Sequence, residues 1–216
     1  MRRTATSGIC VLIAATLCAG CASTREASTS GTPAGAPARP ATAAPTTLTA
    51  MPTLDAAMME RARATPVLDG ATGAPLAWSD VVARARGADA VIIGENHGHE
   101  LGLALAAALW DDVLDAGAPG SAAGGASFGG ARKPALALEF LERDDQSRLD
   151  DYLAGLADAP TFLRRTGRTA GNFPAGHAHM VESARRAGAP VIAANAPRAS
   201  VRAARTQGFE RLAALS

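Results

Sequence analysis

The sequence predicts an α/β domain, a parallel sheet of βαβ units with helices on both faces. Three observations predict it. Short apolar runs recur at 88–93, 135–138 and 191–194, each of strand length. Each is followed by a segment with helical character. The runs are apolar throughout rather than alternating, which suits strands buried on both faces. Strand then helix, repeated, implies parallel pairing through right-handed crossovers.

The elements follow in order. A helix is predicted over about 53–64, and Ser79 or Asp80 can cap another that ends near Arg86. Ala88-Asp89-Ala90-Val91-Ile92-Ile93 is the first strand, and a helix with an almost wholly apolar face runs from Glu100 to Leu114. Residues 117–131 are Gly, Ala and Ser with few large side chains, a loose loop. Ala135-Leu136-Ala137-Leu138 is the second strand, and a polar helix follows over 143–154. Pro174 stands where a helix can start and Gly188 where it can end. Val191-Ile192-Ala193-Ala194 is the third strand; Pro197 opens another helix and a last one closes the sequence.

The N-terminus has a different character. Arg2 and Arg3 precede an apolar stretch at 9–17, and small residues follow up to Cys21. This is the pattern of a secretory signal, too short to span a bilayer. Leu17-Cys18-Ala19-Gly20-Cys21 resembles a lipobox, with Cys18 at the usual leucine position. Cys21 is then the lipidated residue. Ordinary cleavage near Ala22 is the competing reading, but the Ala/Thr/Pro/Ser-rich stretch that follows favours an anchored chain on a flexible tether. The division is therefore a signal at 1–20, a disordered tether at 21–50 and an α/β domain at 51–216. Ala22 after Cys21 points to the outer membrane, facing the periplasm.

Composition narrows the function. Net charge is +1, so no basic field for nucleic acid exists. All three cysteines, Cys10, Cys18 and Cys21, fall in or at the end of the signal, which leaves no thiol in the domain for catalysis, metal or disulfides. Apolar content is 48% but aromatic content only 4%, so the core rests on few large side chains.

Each apolar run stops at a polar residue: Glu95, Glu139 and Asn195. Ligands of parallel α/β sheets bind beyond the carboxyl ends of strands. The segment Gly94-Glu95-Asn96-His97-Gly98-His99-Glu100 holds two of the four histidines. Imidazole and carboxylate suit metals, haem iron and proton transfer, while a polar loop with capping side chains is the plainer reading. His177 and His179 lie two apart on a helix and so face different ways, one to the site and one to solvent. Tyr152 is the only tyrosine. A phenolate can ligate ferric haem, yet a lone tyrosine on an amphipathic helix more often packs. No phosphate loop, Gly-x-Ser-x-Gly elbow or His-Glu-x-x-His occurs.

Four blocks carry a family resemblance. They are Val91-Ile92-Ile93-Gly94-Glu95-Asn96-His97, Leu136-Ala137-Leu138-Glu139-Phe140, Gln146 to Gly155 with Asp150-Asp151-Tyr152-Leu153, and Pro190 to Arg198 with Asn195-Ala196-Pro197-Arg198. In this order, behind a lipobox, they resemble the ChaN-like lipoproteins, whose superfamily also holds the Tiki proteases, the TraB proteins and the erythromycin esterases. The resemblance covers about 85–212. It implies an α/β domain that binds haem for iron uptake, with two copies able to share the haem. It also implies that Glu95, His97, Glu139, Asn195 and Arg198 line the site. Relatives usually continue past the final helix, so truncation at Ser216 is expected.

Two functions follow from the resemblance. In haem capture, His97, His99, His177 and Tyr152 are axial candidates, and Arg198, Arg164 and Arg165 are cations for the propionates. In the alternative, a metal-dependent hydrolase, Glu95, His97 and Glu139 hold zinc or manganese, with His99 or His177 assisting a bound water. A third reading is an envelope domain whose site has decayed.

Overall fold

The computed structural model describes residues 10–15 as backbone, and residues 49–115, 134–169 and 171–214. Cys21, most of the tether and the 117–131 loop lie outside the described residues. The elements are β1 (Cys10–Ala15), α1 (Ala56–Arg63), β2 (Val67–Leu68), β3 (Pro75–Leu76), α2 (Trp78–Gly87), β4 (Ala90–Glu95) and α3 (Glu100–Asp115). They continue with β5 (Ala135–Glu142), α4 (Gln146–Leu153), α5 (Ala159–Arg165), α6 (Ala175–Ala187), β6 (Val191–Asn195), α7 (Arg198–Gln207) and α8 (Phe209–Ala213). A 3-10 turn, Arg143–Asp145, joins β5 to α4.

The main sheet has the order β4-β1-β5-β6 and every pair in it is parallel. The predicted α/β fold with a parallel sheet is thus the observed one, and its three predicted strands are β4, β5 and β6. β1 was not among them. It comes from the apolar stretch read as the middle of a secretory signal, and it separates β4 from β5. Its register sets Ile13 beside Ile93 and Leu138. A small antiparallel hairpin, β2–β3, pairs Val67 with Leu76. Helix α5 and this hairpin carry no strong periodicity and were not predicted.

Along β4 and β6 the described side chains alternate in burial. Val91 and Ile93 pack into the core, while Ile92 between them is 70% exposed. Val191 and Ala193 are buried, while Ile192 is 40% exposed. In β5, by contrast, Leu136, Ala137 and Leu138 are all buried. The apolar runs read as two-sided burial because Ile92 and Ile192 have the same composition as their buried neighbours.

Helix α3 is the centre of the covered face. Alanines at 104, 106, 107 and 108 are buried, with Leu103, Leu109, Trp110 and Val113. Small side chains let α6 and α1 come close. Gly176 shows how close: a Cβ there would stand 2.7 Å from the Leu103 Cβ. Trp110 fills the centre and donates its indole N–H to the Met180 carbonyl at 3.1 Å. The predicted scarcity of large core residues holds, and an aromatic chain compensates. Tyr152 stacks on Phe162 at 5.3 Å, Phe162 meets Phe173 at 6.2 Å, and Phe173 meets Phe140 edge-on at 4.9 Å. Such pairs each add about 0.5–1.5 kcal/mol beyond area burial.

The segment before α1 is fastened across the helices. The Ala159 N–H donates to the Thr49 carbonyl at 2.8 Å. The Met51 N–H donates to the Tyr152 hydroxyl at 3.1 Å, and the Leu54 N–H to His179 Nδ1 at 2.9 Å. Asp55 then caps α1 by accepting from the Met58 N–H at 2.7 Å. No helix among the described residues is long and apolar enough to cross a membrane.

Candidate functional site

The site forms where β4 ends. Glu95 is the last residue of β4 and lies on the covered face, in line with Val91 and Ile93. Helix α6 starts at Ala175, and its close approach to α3 at Gly176 sets the next residue, His177, against that strand end. His177 Nε2 lies 2.9 Å from Glu95 Oε2. Both side chains are nearly inaccessible, at 2% and 7%. The Phe140 ring tilts over the imidazole with centroids 4.9 Å apart.

Burial pushes the His177 imidazolium down from the ordinary 6.5. Glu95 opposes this by charge and hydrogen bond, and His97 adds to the lowering. The net direction is down, so His177 is the neutral imidazole at neutral pH. With Glu95 as the carboxylate, Nε2 carries the proton and donates it. Nδ1 then holds a free lone pair, and this atom is buried with no hydrogen-bond partner. A buried unpaired nitrogen is costly unless something else engages it.

His97 lies just beyond Glu95 and is exposed. It is near enough to His177 to act on its titration through space. His99 has a different task. Its Nδ1 accepts from the Gly102 N–H at 2.9 Å, capping the first turn of α3. That bond puts the ring proton on Nε2, so His99 caps rather than presents a ligand lone pair. Gly98, with φ +75°, allows the turn between the two histidines.

The remaining candidates divide. Asn195 ends β6 and is paired in register with Glu142. Arg198 starts α7 and holds that same carboxylate, with Nε to Oε1 at 2.7 Å and its N–H to Oε2 at 3.0 Å. Burial works to raise the Glu142 carboxyl, but the Arg198 bonds outweigh it and lower it. Arg198 keeps 85% of its side chain in solvent. Glu139 does not end its strand, because β5 runs on to Glu142. It follows the buried Leu138, so strand alternation directs it to the opposite face from Glu95. The metal triad Glu95, His97 and Glu139 is therefore not assembled. Among the described residues no group of three His, Cys, Asp or Glu side chains could hold a metal ion.

Tyr152 lies away from this edge. Its hydroxyl donates to Glu182 Oε2 at 2.7 Å and accepts from the Met51 N–H. Burial first, then the Glu182 bond, pushes the phenol up to about 12. It is a core residue with its polar tip satisfied, as lone tyrosines usually are. Arg165 pairs with Asp151 at 2.6 Å and Arg164 Nη2 donates to Thr161 Oγ1 at 3.2 Å, both on the exposed side of α5. One of His177 and His179 was expected to face solvent, and neither does. His179 is buried between the Leu54 N–H and Asp111 Oδ2, the latter at 2.8 Å. The two-residue offset does turn the histidines apart, but the second face of α6 is covered by the 49–54 segment.

Sequence reasoning missed Arg168. Its guanidinium lies 5.0 Å above the Phe140 ring, donates to the Phe140 carbonyl at 2.8 Å and pairs with Asp145 at 2.8 Å. It pins the end of β5, and so the ring that covers His177. Nothing in its spacing announces that role.

For an imidazole-ligated macrocycle, this edge supplies an exposed imidazole at His97 and a largely exposed cation at Arg198, while the His177 nitrogen is buried behind the Phe140 ring. The donor set fits haem. The family model described as haem-binding uptake, Tiki superfamily, ChaN, matches residues 81–216. That span contains β4 through α8 and every residue named at this edge. No curated protein and no solved structure matches the chain.

Proposed function

The chain belongs to the ChaN family of haem-binding uptake proteins, within the Tiki superfamily, and from that premise we propose that it is a lipid-anchored envelope protein that captures haem for iron acquisition. The observation that carries the reading is the exposed His97 imidazole set beside the buried Glu95–His177 pair. Haem, when bound, supplies an iron that takes an axial nitrogen ligand.

The residues divide the work. His97 is the accessible ligand. Glu95 and His177 hold the end of β4 and fix the local charge, since a neutral imidazole beside one carboxylate keeps the edge anionic. Phe140 offers an apolar ring, and Arg168 keeps it in place. Arg198, at the start of α7, offers a cation for a propionate. The anchor is Cys21, where the Leu17-Cys18-Ala19-Gly20-Cys21 segment supports lipidation and the residues after it support a tether. Several acyl chains on one cysteine give lasting attachment where a single chain does not. Outer-membrane placement and pairing of two copies around the ligand belong to the same proposal.

Hemin titrated into the purified full chain tests the capture reading. A saturable, sharpened Soret band is expected. His97→Ala should weaken binding at least about tenfold, the scale of one lost ligand-class interaction. Absence of a saturable band, or a band unchanged in His97→Ala, Glu95→Gln and His177→Gln alike, would remove the reading. Metabolic labelling with palmitate tests the anchor, with Cys21→Ser as the unlabelled reference.

A further inference from the structure

A central strand of a parallel sheet uses its backbone N–H and C=O groups toward one neighbour or the other. β1 is such a strand. All six of its residues pair with β4, and Cys10 to Ile13 also pair with β5. β4 has no other neighbour in the sheet order. Without β1, β4 would stand unpaired and β5 would be paired on one side only. β4 carries Glu95 at its end, so in the unprocessed chain this lane runs beside the candidate site.

The same residues lie inside the 9–17 apolar stretch of the segment read as an export signal. One segment cannot be a strand within the sheet and, at the same time, an extended signal held by a membrane machinery or cut away. The chain between β1 and Thr49 reaches far enough for either state, at up to about 3.3–3.6 Å per residue.

We propose that the lane between β4 and β5 is a strand-acceptor site whose occupant is the chain's own Cys10–Ala15 segment, so that folding of the unprocessed chain and reading of its signal exclude one another. The folded precursor keeps its apolar signal in the sheet. Export proceeds from the chain before that strand docks. The signal half of this inference rests on the anchored-envelope reading above; the strand half rests on the sheet register alone.

The two halves are tested separately on the full chain. A protease recognition sequence is placed between residues 25 and 30, and the folded protein is cut there. The fragment that carries Cys10–Ala15 should stay with the domain through gel filtration. Amides of Val91 to Ile93 and of Ala137 should exchange about a hundredfold more slowly than after the fragment is stripped away, while Leu136, whose N–H is bonded to the Pro190 carbonyl, serves as the reference. Leu12→Pro removes an N–H the lane needs, so its fragment should separate on cutting, while that of Leu12→Val should stay. A wild-type fragment that separates freely, from a domain whose amide protection does not change, overturns the strand site. For the second half, folded precursor and the same precursor freshly diluted from urea are given to membranes that contain the processing enzymes. Processing of the urea-diluted chain alone is expected. Equal processing of both overturns the exclusion, and processing of neither overturns the signal reading and the exclusion with it, while leaving the strand site to the first test.

Discussion

Replacing Tyr152 with Phe removes one oxygen and separates two accounts of this residue. The hydroxyl makes two buried bonds, a donation to Glu182 at 2.7 Å and an acceptance from the Met51 N–H at 3.1 Å. The first is to a carboxylate, worth about 1.5–3 kcal/mol. Glu182 keeps its pairing with Arg185 at 2.8 Å, so its loss is partial. The Met51 N–H is left in a buried place without a partner, at a cost of about 1–3 kcal/mol. The two share one hydroxyl and are not additive, so a destabilisation of about 3 kcal/mol is expected. For a folded part of this size that lowers the melting midpoint by roughly 6–12 °C. Differential scanning calorimetry reads the midpoint, and hemin titration reads the Soret band. The variant should melt early and still bind hemin with an unchanged band. A midpoint within 2 °C of wild type would refute the double bond. A lost Soret band with an unchanged midpoint would make the phenol an iron ligand and overturn the placement of the site.

Other outcomes follow from the same geometry. Raising the pH should weaken the fold through Tyr152: its folded value is about 12, above the ordinary 10.0 of a free phenol, so its contribution is whole below pH 10 and lost as pH climbs through 12, which alkaline melts will show or fail to show. His177 has the opposite sense. Its folded value lies below 6.5, so the unfolded chain takes up a proton first and stability should fall as pH drops below 6.5, a slope that His177→Gln should flatten in acid melts. Gly176→Ala places a methyl 2.7 Å from Leu103; overpacking should cost about 1–3 kcal/mol and displace His177, so a melt equal to wild type would contradict the close α3–α6 contact. Glu95→Gln keeps the shape and an oxygen that accepts from His177 Nε2 but removes the charge; turning a charge-assisted bond into a neutral one should cost about 1 kcal/mol in urea unfolding, and no change would mean that the charge of the pair contributes nothing to the fold.

What the sequence discloses about this fold depends on how local the cause is. β4, β5 and β6 are legible because each apolar run ends at a polar residue, and Glu95 and Asn195 do end their strands. Glu139 is misplaced because β5 continues through Phe140 to Glu142, beyond where the polarity resumes. β1 is illegible for a compositional reason. A signal's apolar centre and a buried parallel strand are both short, uncharged apolar runs, and nothing in Cys10–Ala15 distinguishes them. The His177–Glu95 pair joins residues far apart in the chain, through a helix contact that turns on the missing side chain of Gly176. His99 and Tyr152 resolve to their plainer readings, a cap and a core residue, because each finds a backbone N–H at hydrogen-bond distance.

The fastening of residues 49–54 has a mechanical consequence. A pull applied to the chain directly ahead of Thr49 meets Thr49 first, then Met51, then Leu54, and these grip α5, α4 and α6 in turn. Load is thus shared among three helices before it reaches α1. The last grip is on His179, two residues from the imidazole at the site. A chain drawn taut there would strain the start of α6, and with it the Glu95–His177 pair, only after the first two holds had given way.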